Sequence, residues 1–287
     1  MADFSPNPEF SHTLIPELSE PLASKDGKVY SGLPADGGAW PIISFSHVSM
    51  WFDERRILDD VSFSVNRGET LCILGRSGVG KSVALRILMG FLKPQVGSIR
   101  VAGEEVNAFT EEQMRAVRKK VTMVFQNGAL FDSMSVRENV AFPLREHGGL
   151  AEDQIHEIVE RLIKMVGAED VADALPASLS TGRKRAVAIA RALAAQPEVV
   201  LYDEPTTMVD PLIARRLGDL IQRLKQQLGF TSIVVTHDVR FAERLADQVL
   251  FLDRGRATYF GPLRGFLESS EPNIRQFLAL DAYALPM

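Results

Sequence analysis

Cysteine is nearly missing from this sequence: Cys72 is the only one in 287 residues. No disulfide can form within the chain, and no cysteine-ligated zinc site can be built from it. Cys72 itself falls in the apolar segment Thr70 to Leu74, where a small buried hydrophobe is expected rather than a reactive thiol. Long apolar runs are missing too. None reaches the roughly 18 to 20 residues that a membrane-spanning helix needs, so any contact with a bilayer is expected to come through another subunit. Positive charge is not in excess: 32 Lys and Arg stand against 37 Asp and Glu, a net charge of -5. That gives no global basic field and disfavours nucleic acid as the main partner. The first forty residues have no steady periodicity, and they carry Pro6, Pro8, Pro16, Pro21 and Pro34 beside Asp3, Glu9, Glu17 and Glu20. They read as a flexible leader that fits neither a secretory signal nor a transit peptide, so a cytosolic location is expected.

What is present is enough for a substantial core, with 46% hydrophobic and 24% charged residues. One domain with insertions, or two closely joined lobes, is expected. The most informative stretch is Gly75-Arg76-Ser77-Gly78-Val79-Gly80-Lys81-Ser82, which fits the pattern G-x-x-x-x-G-K-[ST] of a nucleotide phosphate loop. Its context agrees, with an apolar strand at Thr70 to Leu74 before it and an apolar-periodic helix at Val83 to Met89 after it. Gly75, Gly78 and Gly80 allow successive N–H groups to converge on phosphate oxygens. Lys81 then neutralises the β and γ charges of ATP, and Ser82 offers its hydroxyl to Mg²⁺ at the positive end of the following helix. Arg76 is expected to face solvent.

Ahead of the loop, Ile42 to Trp51 and Ile57 to Val65 read as an antiparallel hairpin around the turn Asp53-Glu54-Arg55-Arg56. Beyond it, strands at Ser98 to Val101 and Val121 to Phe125 alternate with a helix at Glu111 to Lys119. A mostly helical stretch follows from about Asn127 to Ala195. Strands return at Val199 to Tyr202, Ser232 to Thr236 and Val249 to Leu252, separated by helices at Leu212 to Leu228 and Val239 to Ala246. The pattern predicts a mainly parallel α/β core with a helical insertion. Asp203 and Glu204 end one of these strands. Asp203 is placed to reach the metal ion held by the loop, and Glu204 to deprotonate an attacking water. Solvated carboxylates at strand ends are common, and the pair gains weight only because a phosphate loop precedes it. His237 emerges after another apolar strand, on the same sheet edge, where it suits a γ-phosphate sensor; His12, His47, His147 and His156 read as structural.

From about Ile42 to Gly261 the chain resembles the nucleotide-binding subunit of an ABC transporter. The resemblance implies an α/β P-loop NTPase fold of ABC type, with an antiparallel β subdomain. The nucleotide-binding domain covers residues 41–261 with a helical subdomain at about 127–195, and a C-terminal extension covers 262–287. Phe52 then occupies the place of the aromatic residue that stacks on adenine, with Trp51 as a neighbouring candidate. Gln126 matches the Q-loop glutamine that touches metal or water. Leu179-Ser180-Thr181-Gly182-Arg183 stands where the family writes L-S-G-G-Q, Asp210 is the D-loop aspartate, and His237 the switch histidine. The resemblance further implies a head-to-tail homodimer, in which Ser180 and Gly182 of one chain face the γ-phosphate of ATP held by the other. Thr181 and Arg183 depart from the pattern. A β-branched residue at a glycine position restricts the backbone, which puts the catalytic rate in question. Arg183 either adds positive charge near the phosphates or extends a basic face with Lys184 and Arg185.

Within the insertion, Phe125 to Phe131 and Asn139 to His147 resemble the Mla-type ATPases that serve MCE-protein lipid transporters. That narrower resemblance implies phospholipid traffic between the membranes of a Gram-negative cell. It also implies an integral membrane permease, an MCE-domain lipid-binding protein, a small STAS-type subunit, and a place at the cytoplasmic face of the inner membrane. Leu130, Phe131 and Phe142 are then either a permease socket or core of the helical lobe. The tail from Pro272 to Leu278 also resembles that group, where it contacts neighbouring subunits; a helix packed on its own domain is the alternative. Other readings are the ATPase of an importer of amino acids or other small polar solutes, and a regulatory ATP-binding module with weak turnover. A non-transport ABC ATPase acting on nucleic acid lacks support in the composition.

Overall fold

Alternation of apolar and polar residues builds the first hairpin. In the computed structural model of the chain, which describes residues 41–283, β1 (Ile43–Phe52) pairs antiparallel with β2 (Arg55–Val65). Phe45 and Phe63 face each other across the pair, buried and stacked with ring centroids 4.6 Å apart. The turn is tighter than the sequence implies. Only Asp53 and Glu54 lie between the strands, and Arg55 and Arg56 belong to β2. Asp53 takes φ 50, as a two-residue hairpin turn matched to strand twist requires and an Asp tolerates. β4 (Val96–Val101) flanks β1 on its other side, and the two-residue β5 (Glu104–Glu105) completes the order β2-β1-β4-β5. The strand expected at Ser98 to Val101 is thus part of an antiparallel sheet, not of the parallel core that strand-helix alternation suggests.

The second sheet has the order β10-β9-β3-β8-β7-β6. β3 (Thr70–Leu74), β6 (Val121–Val124), β7 (Val199–Asp203), β8 (Thr231–Thr236) and β9 (Gln248–Asp253) run parallel, and β10 (Arg256–Pro262) is an antiparallel edge. β3, β7 and β8 are buried along their whole length, which explains their unbroken apolar character: a parallel sheet covered on both faces leaves no solvent side. Successive residues serve opposite layers. Cys72, Leu74, Tyr202 and Val234 enter one core with the helical lobe, while Leu71, Ile73, Leu201 and Ile233 enter the other with the antiparallel sheet. Burial pushes the Cys72 thiol up, in keeping with an inert core residue.

Helices α1 (Lys81–Leu88), α2 (Glu111–Lys120), α6 (Pro211–Leu228) and α7 (Val239–Leu245) pack around the sheets. The insertion holds α3 (Val136–His147), α4 (Glu152–Val166) and α5 (Thr181–Ala194). A reciprocal cap starts α3, where the Glu138 N–H donates to Ser135 Oγ and the Ser135 N–H to Glu138 Oε2. Asn139, fully buried, fixes the preceding loop by donating to the Phe131, Met134 and Ser135 carbonyls and accepting from the Phe131 N–H. The described residues close with α8 (Leu263–Leu267) and α9 (Pro272–Tyr283). Ile274 and Phe277 of α9 are buried, and Phe277 packs on Phe251 of β9 with centroids 5.0 Å apart, so within the described residues the tail packs on its own domain. The leader assigned to residues 1–40 lies outside the described residues. Among the described residues, no helix is long and apolar enough to cross a membrane.

Phe266 of α8 is fully buried between Phe251 and Tyr259, at centroid distances of 5.5 and 5.6 Å. Phe266→Ala is expected to lower unfolding stability by about 3–5 kcal/mol in a urea titration. A loss within about 0.5 kcal/mol, typical of a surface change, would contradict this packing.

Candidate functional site

Three neighbouring strands, in the order β3-β8-β7, end at one sheet edge and deliver the phosphate loop, His237 and the Asp203-Glu204 pair to it. Side chains outside the carboxyl ends of parallel strands share a crevice by construction. Here that crevice is an open cleft of about 740 Å³. The loop, Lys81 and Ser82 form its floor, with Gln126, Glu204, Thr207 and His237 on its walls. Gly80 caps α1 at φ 105 in close approach to β2. A Cβ there would lie 2.9 Å from the Ile57 carbonyl oxygen and 2.8 Å from Leu58 Cδ2, so only glycine lets the helix start at this depth. The start of α1, with its unpaired N–H groups, therefore opens into the cleft.

Lys81 is only 5% exposed. Its Nζ donates to the carbonyls of Gly75 (2.8 Å) and Arg76 (3.1 Å) and pairs with Glu204 Oε1 at 3.2 Å. The Ser82 hydroxyl donates to Asp203 Oδ1 at 2.7 Å, joining the loop to β7. Glu204 sits at φ 48, a left-handed conformation that costs a non-glycine residue on the order of 1–3 kcal/mol. Its N–H donates to the Val235 carbonyl of β8, and its Oε2 lies 2.8 Å from His237 Nδ1 and accepts a long bond from the Thr207 hydroxyl. The strained backbone is held by β8 on one side and by Lys81 and His237 on the other.

The charges respond to this packing. Burial raises the Asp203 carboxyl above its usual range, opposed by the Ser82 hydrogen bond and reinforced by the Glu204 charge. Burial pushes Glu204 upward too, but the His237 hydrogen bond and the Lys81 charge outweigh it, and its net shift is downward. The bond to Glu204 raises His237 against the effect of burial. The buried Asp203 carboxylate, the Ser82 hydroxyl and the Gln126 amide on the same cleft are hard oxygen donors. They suit Mg²⁺, which takes few protein ligands and completes its shell with phosphate and water.

The remaining residues divide into those the chain brings to this cleft and those it does not. Phe52 is exposed at the end of β1 and does not line the cleft; Arg55 and Ile57 on β2 do. Trp51 lies under the Arg56 guanidinium, 5.9 Å from its centroid. Ser180, Gly182 and Asp210, at the starts of α5 and α6, do not line this cleft. Ser180 Oγ accepts from the Arg183 N–H, and Asp210 Oδ1 from the Leu212 N–H. Thr181 occupies an ordinary right-handed helical position, so the backbone objection to it falls away. Gly182 is needed on steric grounds, because a Cβ there would meet Ile213 Cγ2 at 2.8 Å. Arg183 Nη1 donates to both carboxylate oxygens of Asp170 at 2.8 Å. Sequence reasoning missed Thr207, Arg55 and Ile57. Thr207, three residues after Glu204, was within reach of it, since a hydroxyl one turn on from a carboxylate is a natural partner.

Glu204→Gln tests the cluster with two readouts. Turnover of ATP is expected to fall by about 10²- to 10⁴-fold. The His237 imidazole, followed by NMR, is expected to titrate at lower pH, toward its ordinary value of about 6.5. In the native chain the pairing that His237 contributes is complete below that ordinary value and is lost as pH rises through the elevated folded one. The Glu204 side is lost only as pH falls through its depressed value. Undiminished turnover or an unchanged midpoint would contradict the arrangement.

The family model described as ABC transporter matches residues 58–207. The methionine import ATP-binding protein MetN of Brucella abortus (strain 2308) is 38% identical over 247 residues, 86% of this chain and 67% of that protein. The intermembrane phospholipid transport system ATP-binding protein MlaF of Escherichia coli (strain K12) is 37% identical over 237 residues, 83% of this chain and 88% of that protein. Among solved structures, cbiO1 from Clostridium perfringens, part of the ABC transporter complex cbiONQ, aligns with a TM-score of 0.75 at 28% identity over 84% of this chain and 96% of that one. The ATP-binding cassette MJ0796, dimeric in a post-hydrolysis state with ADP and Pi, aligns at 0.70 with 29% identity over 78% of this chain and 99% of that one. The chain belongs to the ABC transporter family and is an ATP-binding, ATP-hydrolysing subunit of it.

Proposed function

We propose that this subunit energises phospholipid trafficking between the inner and outer membranes through a separate permease, from the cytoplasmic face of the inner membrane. In the proposed cycle, ATP phosphates meet the N–H groups of residues 75–82 and the Lys81 ammonium, while Asp203, Ser82 and Gln126 face Mg²⁺. When bound, the ion supplies charge neutralisation for the phosphates. Lys81 turning toward phosphate leaves Glu204 with one cationic partner fewer. Its basicity rises at the moment it is required to take a proton from the attacking water. His237 then donates toward the γ-phosphate. Because Ser180 and Gly182 do not line their own chain's nucleotide cleft, they serve the nucleotide of a second copy, in a head-to-tail homodimer. The dimeric state of MJ0796 supports that reading.

The observation that carries the cargo is the similarity to MlaF, 37% identical over 83% of this chain and 88% of that protein. Phe131 and Phe142 support a docking role at the permease. Their rings tilt together 4.7 Å apart, and Phe131 is 41% exposed. The proposed assembly includes an MCE-domain lipid-binding protein and a small STAS-type subunit. A second reading, the ATPase of an amino-acid importer, is favoured by the 38% identity to MetN.

Purifying the complex from membranes and identifying its chains and lipids separates the two. An MCE-domain protein and bound phospholipid are expected. A periplasmic solute-binding protein in their place would overturn the lipid reading and leave the ATPase chemistry untouched.

A further inference from the structure

Arg185 lies one turn into α5 and is only 5% exposed. Its Nη1 donates to the Phe125 carbonyl and its Nη2 to the Thr207 carbonyl, both at 3.4 Å, and its buried Nε has no hydrogen-bond partner. No carboxylate among the described residues pairs with it, and burial alone moves its pKa, downward. Elsewhere on this helix Arg183 is held by Asp170, while Arg191, like Arg185, has its pKa moved downward by burial and donates to a backbone carbonyl, that of Ala129, at 2.8 Å.

One acceptor of Arg185 lines the cleft, and the other directly precedes a residue that does. The Phe125 carbonyl is half of the peptide group that leads into Gln126, and Thr207 lines the cleft and donates to Glu204. The segment from Phe125 to Phe131 also meets α5 farther along: a Cβ at Gly128 would lie in ordinary contact with Lys184 and Ala188, and Arg191 donates to the Ala129 carbonyl. An unpaired buried guanidinium adds little stability, because its desolvation is not repaid by a counter-charge. Its geometry instead joins three segments at one point: the start of α5, the residue before Gln126, and Thr207.

We infer that Arg185 is a positioning residue that locks Gln126 and Thr207 to the start of α5, so that the state of a chain's own nucleotide cleft sets the orientation of its Ser180–Gly182 segment. The inference rests on the ATP-hydrolysing chemistry and is independent of the cargo.

The test uses the full-length chain with Arg185→Met and Arg185→Lys. An apolar residue of similar length at a buried, unpaired charge is neutral or stabilising, so the melting temperature of the Met variant is expected to stay level or rise. Its Mg·ATP Kd is expected to stay within about twofold, since no phosphate-loop residue changes. Its kcat is expected to drop about tenfold to hundredfold, as for a misplaced cleft residue, with the Lys variant between the two because an ammonium reaches one carbonyl in place of two. Hydrogen exchange at residues 180–186 is expected to respond to Mg·ATPγS in the native chain and not in the Met variant. Native kcat in the Met variant, or a Lys variant no better than Met, would overturn the inference. Equal exchange responses would do the same. Should the Met variant fail to fold, the Lys variant alone decides: reduced kcat at unchanged Kd and melting temperature supports the role, and native kcat removes it. Failure of the native chain to hydrolyse ATP would instead count against the chemistry itself.

Discussion

A cation buried at the start of α1 organises the rest of this molecule. Lys81 is nearly inaccessible, yet its ammonium is met by two carbonyls of its own loop and by Glu204. These contacts come from two separate parts of the fold. β3 delivers the loop, β7 delivers Glu204, and β8 holds Glu204 in its left-handed conformation through the Val235 carbonyl while sending His237 to the same carboxylate. Such a site is anionic on one wall and donor-rich on its floor, and polyphosphate with a divalent cation is the ligand that satisfies both. Burial of Asp203 fits the same logic, since a carboxylate raised by desolvation is stabilised when a metal ion approaches it.

Much of this was legible in the sequence, for a physical reason. The strand-loop-helix at Thr70 to Leu88 and the carboxylates after β7 are local features, and local geometry is written in consecutive residues. Parallel strands then bring their ends together whatever lies between them, so Asp203, Glu204 and His237 could be assigned to one edge without knowing the loops. The antiparallel sheet was harder. β4 is apolar enough to read as a core strand, and nothing local tells which sheet it joins. At the hairpin, a two-residue turn pulled Arg55 and Arg56 into β2 and left Phe52 outside the cleft, while Ile57 lines it. Side-chain partnerships across the chain were not legible at all. The pairing of Arg183 with Asp170 and the reach of Arg185 to Phe125 and Thr207 depend on how α5 packs, which no spacing rule encodes.

The nucleotide machinery and the face we propose for permease docking lie in different parts of the molecule. The cleft residues are those any ATP-hydrolysing cassette requires, and they carry no trace of what is moved. The helical lobe, where we propose that the permease docks, exposes Phe131 against the half-buried Phe142, beside a loop fixed by Asn139. That loop is continuous with Gln126, so whatever docks there is connected through a few residues to the phosphate end of the cleft. Force transmission requires such a short, packed path more than it requires a large motion.

The most direct measurement is calorimetric titration of Mg·ATP into the full-length chain and into Lys81→Met. The native chain should bind one nucleotide per subunit. The variant, deprived of a charged hydrogen-bond donor worth about 1.5–3 kcal/mol, should bind at least about tenfold more weakly. Equal affinities for the two would show that the buried cation does not receive the phosphates and would contradict the account at its centre.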